Sequence, residues 1–308
     1  MTLQQLKYIV AVAEQKSMRR AADALYLSQP SLSNSVRELE GEIGLTLFRR
    51  SNRGIELTAE GEEFLSYARQ ILEQYRLMEA RYIERKAFKK KFSVSMQHYT
   101  FAVEAFIRLA GKFGMDEYEF AVHETKTFEV VDNVKRQKSE LGIIYLNDFN
   151  RKALEKVLKD NELEFHEMFT CGIFVYLWKN HPLAGRTEIY FEELEEYPCL
   201  SFEQGEQNSF YFAEEVFSTR EYKRIIKADD RATLLNLMVG LKGYTLCSGI
   251  ICEELNGNEF VAVPFQDDEE NRNSVMEIGY VVRKNTILSR MGELYIHALK
   301  KYLKIEPS

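Results

Sequence analysis

The sequence is poor in the residues that build disulfide scaffolds, metal cages or membrane spans. Its 308 residues include four cysteines, at 171, 199, 247 and 252, and no CxxC pair. That excludes a disulfide-rich fold and a cysteine-rich zinc site. The five histidines, at 98, 123, 166, 181 and 297, form no HExxH or His-x-His set. No GxSxG, Walker loop or GxGxxG is present, so the common nucleophile and phosphate-cradle motifs are missing. Cys247 lies in a Cys-Ser-Gly turn, where a small packed thiol is the simpler reading than a nucleophile. The longest apolar run, Cys171 to Trp178, falls far short of the roughly 18 residues a membrane span needs. Tyr8 to Ala13 is too short for a signal-peptide core and runs into Glu14-Gln15-Lys16. The expectation is a cytoplasmic chain, not an enzyme, with no cofactor, no metal and no membrane partner.

What is there is ordinary for a folded chain: 45% hydrophobic and 29% charged residues. The length predicts two or three domains. Charge is unevenly spread. Residues 1–91 hold 16 basic and 12 acidic residues, a balance of +4, while residues 92–308 hold 25 and 36, a balance of −11. That asymmetry fits a DNA-facing head on an acidic body.

Three short helices are predicted in the head. The first runs from about Thr2 to Gln15, with Leu3, Leu6, Ile9, Val10 and Ala13 on one stripe. Ser17 caps a second, Met18 to Leu25, whose Ala21, Ala22 and Ala24 admit close helix approach. Ser28 caps a third, about Gln29 to Ile43, with Pro30 in its first turn. Leu32, Val36, Leu39 and Ile43 form its core stripe. The opposite face carries Gln29, Pro30, Ser33, Asn34 and Arg37, small or hydrogen-bonding groups of the kind that reads a major groove. Leu47 to Leu57 then reads as two strands around a Gly-containing turn, with arginines near the tip. Such a wing reaches backbone or minor groove.

The string Ala21 to Ser33, then Leu39-Glu40, Gly44 to Arg50 and Leu57 to Gly61, resembles the LysR-type transcriptional regulators over about 60 residues. The resemblance implies a winged helix-turn-helix head, double-stranded operator DNA as partner, and DNA contacts at Gln29, Pro30, Ser33 and Arg53. Arg19, Ser28, Ser31, Asn34, Arg37 and Arg50 complete the candidate DNA-binding set. The family often has Arg where this chain has Asn34. Asn pairs bidentately with adenine and Arg with guanine, so base preference there should differ. RNA polymerase is a further partner to expect of such a regulator.

Residues 59–91 follow a head of residues 1–58. Phe64, Ala68, Ile71, Tyr75, Met78 and Tyr82 recur at spacings of 4 and 3, an a/d seam. Its expected use is pairing with a second copy, as the resemblance also implies for a linker helix. The product is a homodimer or a dimer of dimers. The basic run Arg85 to Lys91 reads as a solvated helix end.

After Phe92, strand and helix patterns alternate, which predicts an α/β fold with parallel sheets and crossover helices. Helices are expected at Thr100 to Lys112, Thr127 to Gln137, Asn150 to Lys159, Asn208 to Phe217, Arg231 to Leu241 and Leu288 to Tyr302. The acidic cluster Asp267 to Glu270 reads as a solvated loop. Softer strings, His181 to Gly185 and Asp229 to Leu234, resemble the family's two-lobed effector domain, which has the fold of periplasmic binding proteins. The implied division of residues 92–308 is lobe I at about 92–163 and 268–308 and lobe II at about 164–267, with crossovers near 161–166 and 264–276. A small-molecule effector is then expected between the lobes, beyond the carboxyl ends of strands. The candidate contacts are Gln97, His98, Tyr99, Thr100 and Thr125 from lobe I, and Ser201, Phe202, Glu203, Gln204, Cys247 and Ser248 from lobe II. The expected ligand is anionic or zwitterionic, its carboxylate at Thr100 and the helix it opens, its amino group at Glu203. Gln97-His98-Tyr99 and Leu141 to Asn147 also resemble a Gram-positive subgroup linked to sulfur amino-acid metabolism. The family's peroxide sensors carry a reactive Cys in the loop equivalent to 203–208, and this chain has none there.

Overall fold

The structure, a computed structural model, describes residues 1–51, 54–82, 89–114, 117–205, 209–267 and 275–305. The chain divides into two compact units, Met1–Phe88 and Lys89–Ser308.

The first unit opens with α1 (Leu3–Gln15), α2 (Met18–Ala24) and α3 (Gln29–Ile43). Each start is set by a hydroxyl that accepts from an otherwise orphaned backbone N–H: Thr2 from Gln5, Ser17 from Arg20 and Ser28 from Ser31. Their apolar stripes meet in one core, where Ile9, Val12, Ala21, Ala22, Leu32 and Leu39 are all but inaccessible. The wing is the antiparallel pair β1 (Phe48–Ser51) and β2 (Gly54–Leu57). Glu40 fixes its start by accepting from the N–H groups of Leu47 at 2.7 Å and Phe48 at 3.2 Å. Gly54 sits at φ +120°, and a Cβ there would lie 2.8 Å from the Lys16 carbonyl oxygen. Only glycine serves both demands.

The last element of this unit is α4 (Ala59–Tyr82), which packs along α1. Leu65 and Ala68 are buried, Arg69 pairs with Glu14, and the Lys7 ammonium lies over the Tyr75 ring. Here the structure corrects the expected seam. Ala68 is already covered within the chain, Phe64 packs against the head core, and Tyr75 is half-buried beneath Lys7. The outward stripe is Tyr67, Ile71 and Met78, which are 40%, 43% and 54% exposed. Among the described side chains of the expected seam, Ile71 and Met78 stand free. The Tyr82 side chain lies outside the described residues.

The second unit begins with β3 (Lys90–Met96), α5 (Thr100–Gly111), β4 (Tyr118–Glu124), α6 (Thr127–Lys135), β5 (Leu141–Leu146), α7 (Arg151–Asp160) and β6 (Leu163–Cys171). It continues with β7 (Phe174–Trp178), β8 (Ile189–Tyr190), α8 (Phe191–Leu194), β9 (Cys199–Phe202), β10 (Ile225–Ala228), α9 (Arg231–Leu241), β11 (Thr245–Cys247), α10 (Glu253–Asn256) and β12 (Phe260–Gln266). It closes with β13 (Met276–Arg283) and α11 (Arg290–Tyr302). Lobe I is built on a sheet in the order β4-β3-β5-β13-β6, and lobe II on the order β11-β7-β12-β8. The parallel pair β9-β10 joins lobe II through a bridge from Cys199 to Tyr244. Every residue of β5 is buried, as its unbroken apolar run requires.

Three expectations change. β6 pairs along its whole length with β13, so it belongs to lobe I and the first crossing is the step from Cys171 to Phe174. The sheets are mixed rather than parallel, since β13 runs antiparallel to β5 and β6, and β7 to β11 and β12. Where a helix was expected at 208–217, the described part holds one short 3-10 turn, Phe210–Phe212. The cluster at 268–270 lies outside the described residues.

Candidate functional site

Two surfaces have the required chemistry. On α3, Gln29, Pro30, Ser31, Asn34 and Arg37 are exposed, and Ser33 is half-buried. Pro30, Asn34 and Arg37 fall at i, i+4 and i+7, opposite the buried Leu32, Val36 and Leu39. Ser28 is exposed too, but its hydroxyl already accepts from the Ser31 N–H at 3.2 Å and lies 2.8 Å from the Ser31 hydroxyl. Both serines therefore hold the first turn of α3 as well as facing solvent. Arg19 is exposed on α2. Arg53 and the Arg50 side chain lie outside the described residues. Tyr26 sits in the turn before α3 at φ +54° and is 96% exposed.

The second surface is a cleft between the lobes of the second unit, enclosing about 90 Å³. His98, Tyr99 and Thr100 line it from the turn that opens α5, and Phe202, Cys247 and Ser248 from lobe II. The other five candidate contacts do not line it. Gln97 is buried beneath, where its side chain bonds to Thr127, Tyr99 and the Tyr145 N–H. Thr125 donates to Glu129, and Ser201 is buried in β9. Gln204 accepts from the Thr127 N–H at 3.3 Å and donates to Glu214 at 3.2 Å, tying the lobes together. Glu203 points to Lys227, 3.7 Å away, and is about one-third exposed. It is therefore in no position to take a ligand's amino group in the cleft.

The acid groups that do face the cleft are Glu214 and Glu215, in the stretch expected to be helical. Glu214 Oε2 lies 2.8 Å from His98 Nδ1 and accepts from the His98 backbone N–H at 3.0 Å. Both side chains are 6% exposed, and the His98 ring stacks on Phe202 at 3.6 Å. Glu215 accepts from the Phe202 N–H at 2.9 Å. Burial, and then the neighbouring Glu214, push the Glu215 carboxyl up to about 8. Arg231, at the start of α9, pairs across the lobes with Glu124. The Thr100 hydroxyl is also engaged by lobe II, accepting from the Cys252 N–H at 3.3 Å. The expected carboxylate seat at Thr100 is thus occupied by lobe II backbone. Among the described residues, no cluster of His, Cys, Asp and Glu is arranged to hold a metal. No described helix is long and apolar enough to cross a membrane.

Residues 3–62 match the model of the bacterial regulatory helix-turn-helix proteins of the lysR family, and residues 114–304 match the LysR substrate binding domain. The chain belongs to the LysR family of DNA-binding transcriptional regulators. It is 32% identical over 195 residues to the Hca operon transcriptional activator HcaR of Escherichia coli, covering 63% of each chain. It is 29% identical over 211 residues to AlsR of Bacillus subtilis, covering 65% of this chain and 64% of that one. The chain thus spans just under two thirds of the length of these relatives. With the dual regulator OxyR of Escherichia coli it shares 24% identity over 97% of this chain and 95% of that one. These relatives are regulators, not enzymes. Among solved structures, full-length OxyR from Pseudomonas aeruginosa has the same fold, with a TM-score of 0.59, 18% identity, and coverage of 97% and 95%.

Proposed function

We propose that this chain binds operator DNA in the cytoplasm as a homodimer or dimer of dimers and changes its grip when a small molecule enters the inter-lobe cleft. The observation that carries the reading is α3, whose exposed N-terminal face presents Gln29, Ser33, Asn34 and Arg37 around a buried stripe. These groups supply direct readout, and a basic wing tip with Arg50 and Arg53 supplies phosphate contacts that set register. The outward stripe of α4 pairs two copies, which gives two recognition helices for a two-fold site. Cross-lobe bonds such as His98–Glu214 and Arg231–Glu124 make lobe closure sensitive to whatever occupies the cleft. Regulation follows only if the ligand's affinity differs between two arrangements. RNA polymerase is the natural downstream partner.

The test is selection from random duplexes with the purified chain. The expected product is an enriched motif with two related half-sites spaced by about one helical turn or a multiple of it. Arg53→Ala should weaken binding to the enriched and the unselected duplex alike. No enrichment, or an undiminished Arg53→Ala, would count against the reading.

A further inference from the structure

Helix α2 ends in a turn that closes on itself. The Leu27 N–H donates to the Ala22 carbonyl at 2.9 Å, and the Tyr26 N–H to the Asp23 carbonyl at 3.2 Å. That pair of bonds is the Schellman closure, which places the residue after the C-cap in the left-handed region. Tyr26 fills that place at φ +54°. Glycine adopts this conformation without strain, whereas a bulky side chain crowds its own backbone. α3 ends on glycine, Gly44 at φ +70°. α1 ends on Lys16 at φ +50°, an exposed residue whose charge water stabilises.

Nothing in the fold offsets the strain at Tyr26. Phe217, the other aromatic at positive φ among the described residues, packs its ring against Phe191 and Phe265. The Tyr26 side chain is 96% exposed and has no bonding or ring partner among the described residues. Single apolar side chains on a surface are common. An exposed ring that also strains its backbone is not accounted for by folding. Its position supplies the reason. Ser28 caps α3 two residues later, so the Tyr26 Cα lies within about 7 Å of the cap. A recognition helix meets base edges through its N-terminal residues. The turn just before it then lies at the wall of the groove, which is sugar and phosphate. Tyrosine hydroxyls are among the groups that donate to phosphate oxygens.

We propose that Tyr26 is a DNA-backbone contact, its hydroxyl donating to a phosphate at the edge of the groove that α3 enters. This rests on the reading of α3 as the helix that meets DNA. The contact fixes the register of α3 and carries no base preference.

Fluorescence anisotropy on the full-length protein tests this with two probes, a duplex enriched by selection and a shuffled copy of it. Tyr26→Phe deletes the hydroxyl alone and should weaken both duplexes by about fivefold or more, leaving their ratio unchanged. Tyr26→Gly should weaken both at least as much and melt no lower than wild type, because it relieves the backbone. Neither should change the slope of log affinity against log salt, since a hydroxyl neutralises no phosphate. A Tyr26→Phe protein that binds both duplexes like wild type would overturn the proposal. So would a loss confined to the enriched duplex, which marks a base contact, or a Tyr26→Gly protein that melts several degrees lower, which marks a structural ring. Asn34→Ala, measured alongside, should lose affinity for the enriched duplex only. If Asn34→Ala lost nothing and Tyr26→Phe weakened both, base readout by α3 would fall and the backbone contact would stand. If Asn34→Ala lost affinity and Tyr26→Phe did not, the reverse would hold. A wild-type chain that enriched no duplex would remove both.

Discussion

On α3 the amides and guanidinium of Gln29, Asn34 and Arg37 stand in water with the helix core behind them, while in the cleft Glu214 and His98 are 6% exposed and bonded to each other. The contrast reflects what each surface meets. DNA arrives with its own dense charge and patterned base edges, so the head must keep donors and acceptors unspent. A small ligand enters a space walled by protein, so charges there must be balanced beforehand or folding suffers. A change on the head should therefore alter recognition with little effect on stability, and a change in the cleft should do the reverse.

The largest effect should come from neither surface but from α4, the helix proposed to pair two copies. Ile71→Glu with Met78→Glu places charges on the outward stripe of α4. Sedimentation should show monomers, and operator affinity should fall on the order of a hundredfold as bivalent binding is lost. A double variant that stayed dimeric would put the interface elsewhere.

Breaking a buried pair comes next. Glu214→Ala leaves the His98 ring and N–H without their acceptor and should cost about 3–5 kcal/mol in urea unfolding. Glu203→Ala removes an ion pair from a half-exposed site and should cost about 0–1 kcal/mol. Equal losses would erase the distinction between paired cleft and solvated rim.

A pH series sharpens the same point. The Glu215 carboxyl is raised from its ordinary value to about 8 by burial, Glu214 adding to the shift and Lys227 opposing it. The folded chain therefore holds a proton that the unfolded chain has released, and stability should fall as pH rises from about 4.5 to about 8, by up to a few kcal/mol. Glu215→Gln should flatten that slope. An unchanged slope would mean that Glu215 is not the group responsible.

The smallest effect expected is from oxidant. Burial pushes the Cys171 and Cys199 thiols up to about 12 and Cys247 to about 11, and thiols so raised are poor nucleophiles. Micromolar peroxide should leave operator affinity unchanged. A shift in affinity that thiol reductant reverses would revive the peroxide-sensor alternative.

These regions also differ in how far their residues announce them. The helices of the head follow from neighbours in sequence: the caps Ser17 and Ser28, the stripe of Leu32, Val36 and Leu39, and Gly44 at φ +70° ending α3. The α4 seam shows the limit of periodicity. Spacing identifies an apolar face, but Ala68 is covered by its own chain and Met78 is not. β6 was missed because Glu164, His166 and Glu167 interrupt its apolar positions and its partner β13 lies more than a hundred residues away. In the cleft, His98, Tyr99 and Thr100 were legible as a strand-to-helix turn. Glu214 and Glu215 were not, because a charged pair in a presumed helix reads as solvated, and only the tertiary fold brings it against His98 and Phe202.

On this proposal the exposed groups on α3 read base sequence. The most direct measurement is the ratio of affinities for a selected operator and an unrelated duplex, by fluorescence anisotropy at one salt concentration, for wild type, Gln29→Ala and Asn34→Ala. Each substitution should lower the ratio by a factor worth about 1–3 kcal/mol, with binding to the unrelated duplex and the melting temperature nearly unchanged. A ratio equal to wild type in both variants would contradict it.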